Sequence, residues 1–343
     1  MTFLRNVWYV AAWSDEVGET PFARTILGEQ VLLYRQEDGA PAAIGNICPH
    51  RFAPLSMGSR VGDAIECPYH GLRFGANGQC VHNPHGNGPI PKTIRIKSYP
   101  IVERHRCDWI WMGDPARADP ALIPDFSYLD REDFVVVRGP MLPTAANYEL
   151  VADNLLDLSH VAFVHREFHE LEAFDRREHK VTVAGNTVHS NYLFPNGRYP
   201  FMGRYLGDRE MKVDHWLEMR WDAPGVMHLK TGAAPTGRPR SEGIELNGTH
   251  LLTPETGTST LYFYASARGF RTDDEEINEG LRTWQKVGFG GQDKPLIEAI
   301  QATMGATTDL MALRPLLLPI DSGAVRARRV IEQLRAAEAQ VAA

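Results

Sequence analysis

Two cysteines and two histidines fall within residues 48–70. Cys48 and His50 are separated by one residue, sixteen residues follow, and Cys67 and His70 then enclose two more. Two thiolates and two imidazoles could hold a structural zinc, for which such donor sets are common. Zinc fingers, however, usually pair Cys with Cys and His with His, whereas here each loop contributes one of each. A second group lies in NYELVADNLLDLSHVAFVHREF, residues 147–168. On a helix turning about 100° per residue, Asp153, Asp157 and His160 fall within about 60° of one another. His165 stands about 140° from His160 on an ideal helix, so both reach one metal only if the helix ends or distorts between them. A solvated polar face carrying two histidines is the alternative.

The mixed C-x-H-x16-C-x2-H pattern suits a two-iron cluster, with Cys48 and Cys67 on one iron and His50 and His70 on the other. That is the ligand set of a Rieske [2Fe–2S] centre. Pro49, Pro68 and Gly71 sit where tight turns would aim backbone N–H groups at the sulfurs. Such a centre moves single electrons only. An acceptor is therefore needed, and a 2-His-1-carboxylate iron site that activates O2 is one that the second group could help to build.

The elements that must position these groups fall into two regions. Up to about residue 112 the chain runs as short strand-like segments between turns (QVLLYRQ, TIRIKSYPIVERH, CDWIWM), which reads as a small antiparallel β domain. The segment GDPARADPALIP, 113–124, is proline-spaced and lacks apolar periodicity, as a connection would; domains are expected over 1–118 and 119–343. Beyond it come a helical stretch near 147–165, strand pairs such as KVTVAGNTVHSNYLF and HWLEMRWDAPGVMHLK, and helical patterns near 273–287, 293–304 and 322–341. The second domain is thus expected to be α+β around an antiparallel sheet.

Composition agrees with a two-domain globular chain: 343 residues, 43% hydrophobic and 23% charged. Thirty-six basic against 43 acidic side chains give a net charge of −7, and without a basic block a nucleic-acid partner is not expected. No apolar run approaches the roughly 20 residues of a membrane span, and the N-terminus lacks a secretory pattern, so no membrane association and a cytoplasmic location are expected. The four cysteines are too few and too oddly spaced for a disulfide framework, and Cys80 and Cys107 read as small buried hydrophobes. No GxGxxG follows a strand, so electrons must come from a separate protein.

Beside this residue-level reading, the chain resembles the α subunits of Rieske non-haem iron oxygenases, in the vanillate O-demethylase and dicamba monooxygenase branch. NVWYVAAW, CPHRFAPLS, CPYHGLRF, CVHNPHGNG, GDPARADPALIP, DNLLDLSHVAFVH and THLLTPET carry the similarity from end to end. The family motif N-x2-D-x2-H-x4-H falls on Asn154, Asp157, His160 and His165. The resemblance implies that His160, His165 and the distant Asp293 ligate a mononuclear Fe(II), a choice that the residues alone do not make over Asp153 or Asp175. It further implies catalytic roles for Asn154 and Asp157, a helix-grip (START-like) catalytic domain, and a head-to-tail homotrimer in which Asp157 bridges His160 to a neighbour's His70. An NADH-dependent reductase or ferredoxin would supply electrons. The implied reaction is O2-dependent oxidation of a methoxy or methyl group on an aromatic acid, releasing formaldehyde from a methoxybenzoate; ring hydroxylation is the nearest alternative. His250, Trp284 and Leu229 occupy substrate-lining positions of the dicamba-type relatives, Leu229 replacing an asparagine. Two readings from other classes compete: a Rieske electron carrier with a ligand-binding domain, and a zinc-stabilised binding protein.

Overall fold

The computed structural model describes residues 3–86, 89–166 and 171–342. The chain forms two compact units, one of Phe3–Ile123 with Thr253–Gly257, the other chiefly of Pro124–Leu252 and Thr258–Ala343. The first extends past residue 118 because the proline-spaced segment folds onto it. Asp114 and Asp119 cap two short 3-10 turns there, Trp8 Nε1 donates to the Asp119 carbonyl, and Arg104 donates to that of Pro120.

Three small antiparallel sheets make up the first unit. Trp8–Trp13, Cys107–Trp111 and Ile101–Arg104 form one. Phe22–Ile26, Glu29–Arg35, Pro41–Gly45 and Ser98–Tyr99 form the second, and Ser59–Val61, Ala64–Glu66, Arg73–Gly75 and Cys80–His82 the third. Leu32, Ile44, Leu55, Ile65 and Phe74 pack around Cys48, Cys67 and Cys80 in one core. Burying these side chains, at about 1.5–3 kcal/mol each, fixes the loops that carry the cysteines.

An eight-stranded antiparallel sheet dominates the second unit. Its order runs Val135–Arg138, Ser259–Arg268, Ile244–Thr256, Val226–Pro235, Lys212–Asp222, Thr187–Arg198, Glu178–Ala184, with Leu142–Thr144 also paired to Ser259–Arg268. Among the described residues six α-helices accompany it: α1 (Tyr148–Leu156), α2 (Val161–Val164), α3 (Pro200–Leu206), α4 (Glu275–Gln285), α5 (Lys294–Met304) and α6 (Ser322–Ala342). The expected α+β class and antiparallel sheets are therefore present. A π-helical turn, Lys286–Asp293, joins α4 to α5. Among the described residues no helix is long and apolar enough to cross a membrane.

Helix α6 clamps α1. Arg328, with 6% of its side chain exposed, bonds Asp153 at 2.6 Å and Glu149 at 2.7 Å, and Arg335 bonds Glu149 at 2.7 Å. Asp153, one of the candidate carboxylates, is thereby committed to structure. Truncating one member of a buried ion network strands the others, so Arg328→Met is expected to cost about 3–5 kcal/mol. An unchanged denaturation midpoint would contradict this.

Candidate metal centres and active site

The loops 48–53 and 67–72 are geometric copies. In each, the cysteine N–H donates to the carbonyl five residues on (Ala53, 3.0 Å; Leu72, 2.8 Å), and the cysteine carbonyl accepts from the N–H four residues on (Phe52, 2.9 Å; Gly71, 3.0 Å). That fourth residue is left-handed in both, Phe52 at φ 58° and Gly71 at φ 69°, a conformation that glycine adopts freely and phenylalanine rarely. The loops bring His50 and His70 to 4.5 Å between ring centroids. Cys48 and Cys67 are buried free thiols, and burial pushes the Cys48 thiol up. His70 Nδ1 is buried with no hydrogen-bond partner, which costs about 1–3 kcal/mol unless something bonds it. Two buried thiols beside an orphaned imidazole nitrogen fit a [2Fe–2S] cluster. His85 Nε2 donates to the His70 carbonyl at 2.9 Å and steadies the second loop.

The expected helix over 147–165 breaks at Asp157 (φ −96°, ψ 83°), and a 3-10 turn, Leu158–His160, leads into α2. This break turns His160 and His165 toward each other, ring centroids 5.2 Å apart. Their Nε2 atoms stand 3.5 and 3.3 Å from Asp293 Oδ1, and the three donor atoms lie within 4.8 Å of one another. His165 Nδ1 donates to Gln292 Oε1 at 2.7 Å, and His160 Nδ1 donates to the Asp157 main-chain carbonyl. Both partners fix the tautomer that leaves Nε2 able to take a metal. Burial opposes charge on His165, but Asp293 and Gln292 outweigh it and raise its pKa. Two imidazoles and a carboxylate converging on one face fit a mononuclear iron. Asn154 Nδ2 donates to Asp293 Oδ1 at 3.4 Å.

One detail differs from expectation. The Asp157 carboxylate accepts from Ser159 N (3.0 Å), Ser159 Oγ (2.6 Å) and Tyr192 OH (3.5 Å), and it is the carbonyl of Asp157 that holds His160. The cause is local: at a helix end an Asp side chain caps the next turn. Sequence reasoning missed Gln292 and Tyr192; the only pointer to Gln292 was its place beside Asp293.

Leu229, His250 and Trp284 all line one cavity, with Leu158, Val161 and Phe289 also in its wall. The Trp284 ring lies 4.9 Å from that of His165, so the cavity abuts the His/His/Asp group. Leu229 pairs with Gly248 across adjacent strands. A Cβ at Gly248 would stand 3.1 Å from His250 Nε2 and 3.3 Å from Leu229 Cβ, so glycine keeps this corner open. His250 is buried, its Nδ1 2.6 Å from Tyr262 OH. Burial holds that phenol protonated and pushes His250 down to about 3. The phenol and the neutral ring share a hydrogen bond through Nδ1, and Nε2 is a buried atom with no hydrogen-bond partner.

Residues 144–337 match the family model of the vanillate O-demethylase oxygenase C-terminal domain, and residues 7–100 that of the Rieske [2Fe-2S] domain. The chain is 44% identical to the oxygenase component of dicamba O-demethylase from Stenotrophomonas maltophilia, over 99% of this chain and 100% of that one. It is 42% identical to the oxygenase component of chloroacetanilide N-alkylformylase from Rhizorhabdus wittichii (96% and 95%) and 33% identical to a vanillate O-demethylase oxygenase subunit from a Pseudomonas species (99% and 97%). The crystal structure of dicamba monooxygenase bound to 3,6-dichlorosalicylic acid superposes with a TM-score of 0.94 at 44% identity, covering 99% of each chain.

Proposed function

Because the chain belongs to the Rieske non-haem iron oxygenases of the vanillate O-demethylase type, we propose that it is the terminal oxygenase that removes the methyl group of a methoxylated aromatic compound. The observation that carries this reading is the His160, His165 and Asp293 group set against a largely apolar cavity. Cys48, Cys67, His50 and His70 would hold the cluster, and the triad the iron. When bound, the cluster supplies single electrons and the iron supplies O2 activation.

The chain's own part is positional. Gln292 and the Asp157 carbonyl orient the two imidazoles, Trp284 and Phe289 wall the cavity against water, and His250 offers a hydrogen bond to the bound aromatic. Hydroxylation of the methoxy carbon yields a hemiacetal, which collapses to a phenol and formaldehyde. The balance is one O2, two electrons and two protons in, and one water out, the electrons coming from a separate NADH-dependent reductase.

The protein would work as a cytoplasmic homotrimer, one subunit's cluster feeding a neighbour's iron. Two apolar surfaces support that assembly: exposed Phe52, Met57 and Tyr69 around the cluster loops, and exposed Leu296, Ile300 and Leu316 at a cleft that Asp157 and His160 also line. Asp157→Asn keeps the shape of the side chain but not its charge. Both metal centres should remain, while reoxidation of the reduced cluster by O2 with substrate slows by at least about tenfold; a wild-type rate in stopped flow would remove Asp157 from the electron path. Metal analysis tests the whole reading, since an oxygenase holds about three irons per chain, a Rieske carrier about two and a zinc protein none.

A further inference from the structure

We propose that the part of the substrate entering this cavity is uncharged: an aryl ether bearing a neutral polar group, such as an amide, that hydrogen-bonds with His250 Nε2, rather than an aryl carboxylate. This rests on the oxygenase reading and narrows its substrate class. Among the described residues no Lys, Arg, Asp or Glu lines the cavity, and its polar side chains other than His250 are the indole of Trp284 and the hydroxyls of Tyr199, Thr231 and Ser266. A carboxylate buried there would leave water without a Lys or Arg side chain to meet it, at a cost of several kcal/mol.

Strand alternation explains why no cation is present. Lys230 and His228 flank Leu229 on the strand Val226–Pro235, and successive side chains point to opposite faces. His228 bonds Asn247 at 2.9 Å and stacks on Tyr128, and Lys230 is exposed, so both belong to the face away from the cavity. On the cavity face Leu229 stands opposite Gly248 and offers no hydrogen bond, which leaves the unpartnered His250 Nε2 as the buried polar atom of this corner. Neutral groups in an apolar wall suit a neutral polar substituent, whereas a carboxylate needs a compensating charge that no side chain of this wall supplies. The acid expected from the family resemblance therefore lacks a counter-ion at this position.

The test compares matched probes of nearly equal shape, the 2-, 3- and 4-methoxybenzamides against the corresponding methoxybenzoates. Binding to the iron-loaded, oxidised protein is measured by calorimetry at pH 7.5. The best amide is expected to bind at least about tenfold more tightly than its acid. Leu229→Arg should reverse the order by placing a cation in the wall, and Leu229→Asn, a gentler change, should narrow the gap. Equal or tighter binding of the acid by the native protein, or binding of neither class, would overturn the proposal. Calorimetry needs no turnover, so its result is separable from failure of the oxygenase reading, which would appear as fully metal-loaded protein that releases no formaldehyde from any probe.

Discussion

His165→Ala is expected to abolish turnover while the protein stays red-brown. Its side chain is 2% exposed, it meets Asp293 Oδ1 at 3.3 Å, and Gln292 holds its other nitrogen at 2.7 Å. Removing it leaves His160 and Asp293, a pair too small to retain Fe(II) against water. About one iron in three should be lost per chain and activity should fall by about three orders of magnitude or more, with the cluster spectrum unchanged because its ligands belong to the other unit. Gln292→Leu provides the graded control: it keeps all three donors but frees the ring to rotate, and about 10–100-fold in metal affinity should go with it. Retained turnover in His165→Ala would remove that residue from the ligand set.

Cys67→Ser is expected to erase the visible spectrum. Serine's hydroxyl is a poor ligand for cluster iron, Cys48 is already needed by the cluster, and Cys80, in the same core, donates its thiol to the His82 carbonyl. The loop itself should survive, since its turn is made by main-chain bonds from Cys67 N to Leu72 O and from Gly71 N to Cys67 O. The His160, His165 and Asp293 group should still bind about one iron per chain. Loss of colour with a folded second unit, seen by circular dichroism and iron analysis, is the expected result; an intact Rieske spectrum would rule out Cys67 as a ligand.

The cluster site was legible because its signal is local: two short Cys/His loops whose donors are fixed by turns of six residues. The second unit's sheet and its helices α4, α5 and α6 followed from periodicity. What stayed hidden depends on contacts between distant residues or on irregular backbone. Thr253–Gly257 falls with the first unit because Leu27 and Gly28 donate to the carbonyls of Pro254 and Glu255, which no local pattern announces. Asp293 lies on a π-helical turn, where the 100° rule of an α-helix misplaces every side chain. The break at Asp157 had to be posited before His160 and His165 could meet, and the same break diverts the Asp157 carboxylate into capping. The family resemblance pointed to Asp293, where the residues alone left Asp153, Asp175 and Asp293 in play.

The most direct measurement of the central claim is a single turnover with labelled oxygen. Chemically reduced protein, loaded at both metal sites, is mixed with a methoxylated aromatic under ¹⁸O2, and the phenol and formaldehyde are quantified. Hydroxylation of the methyl carbon breaks the bond between that carbon and the ether oxygen, so the phenol should keep its original oxygen and formaldehyde should appear in equal amount. A phenol carrying the label, or full reoxidation of the protein without formaldehyde, would contradict methyl-group oxidation at the His160, His165 and Asp293 site.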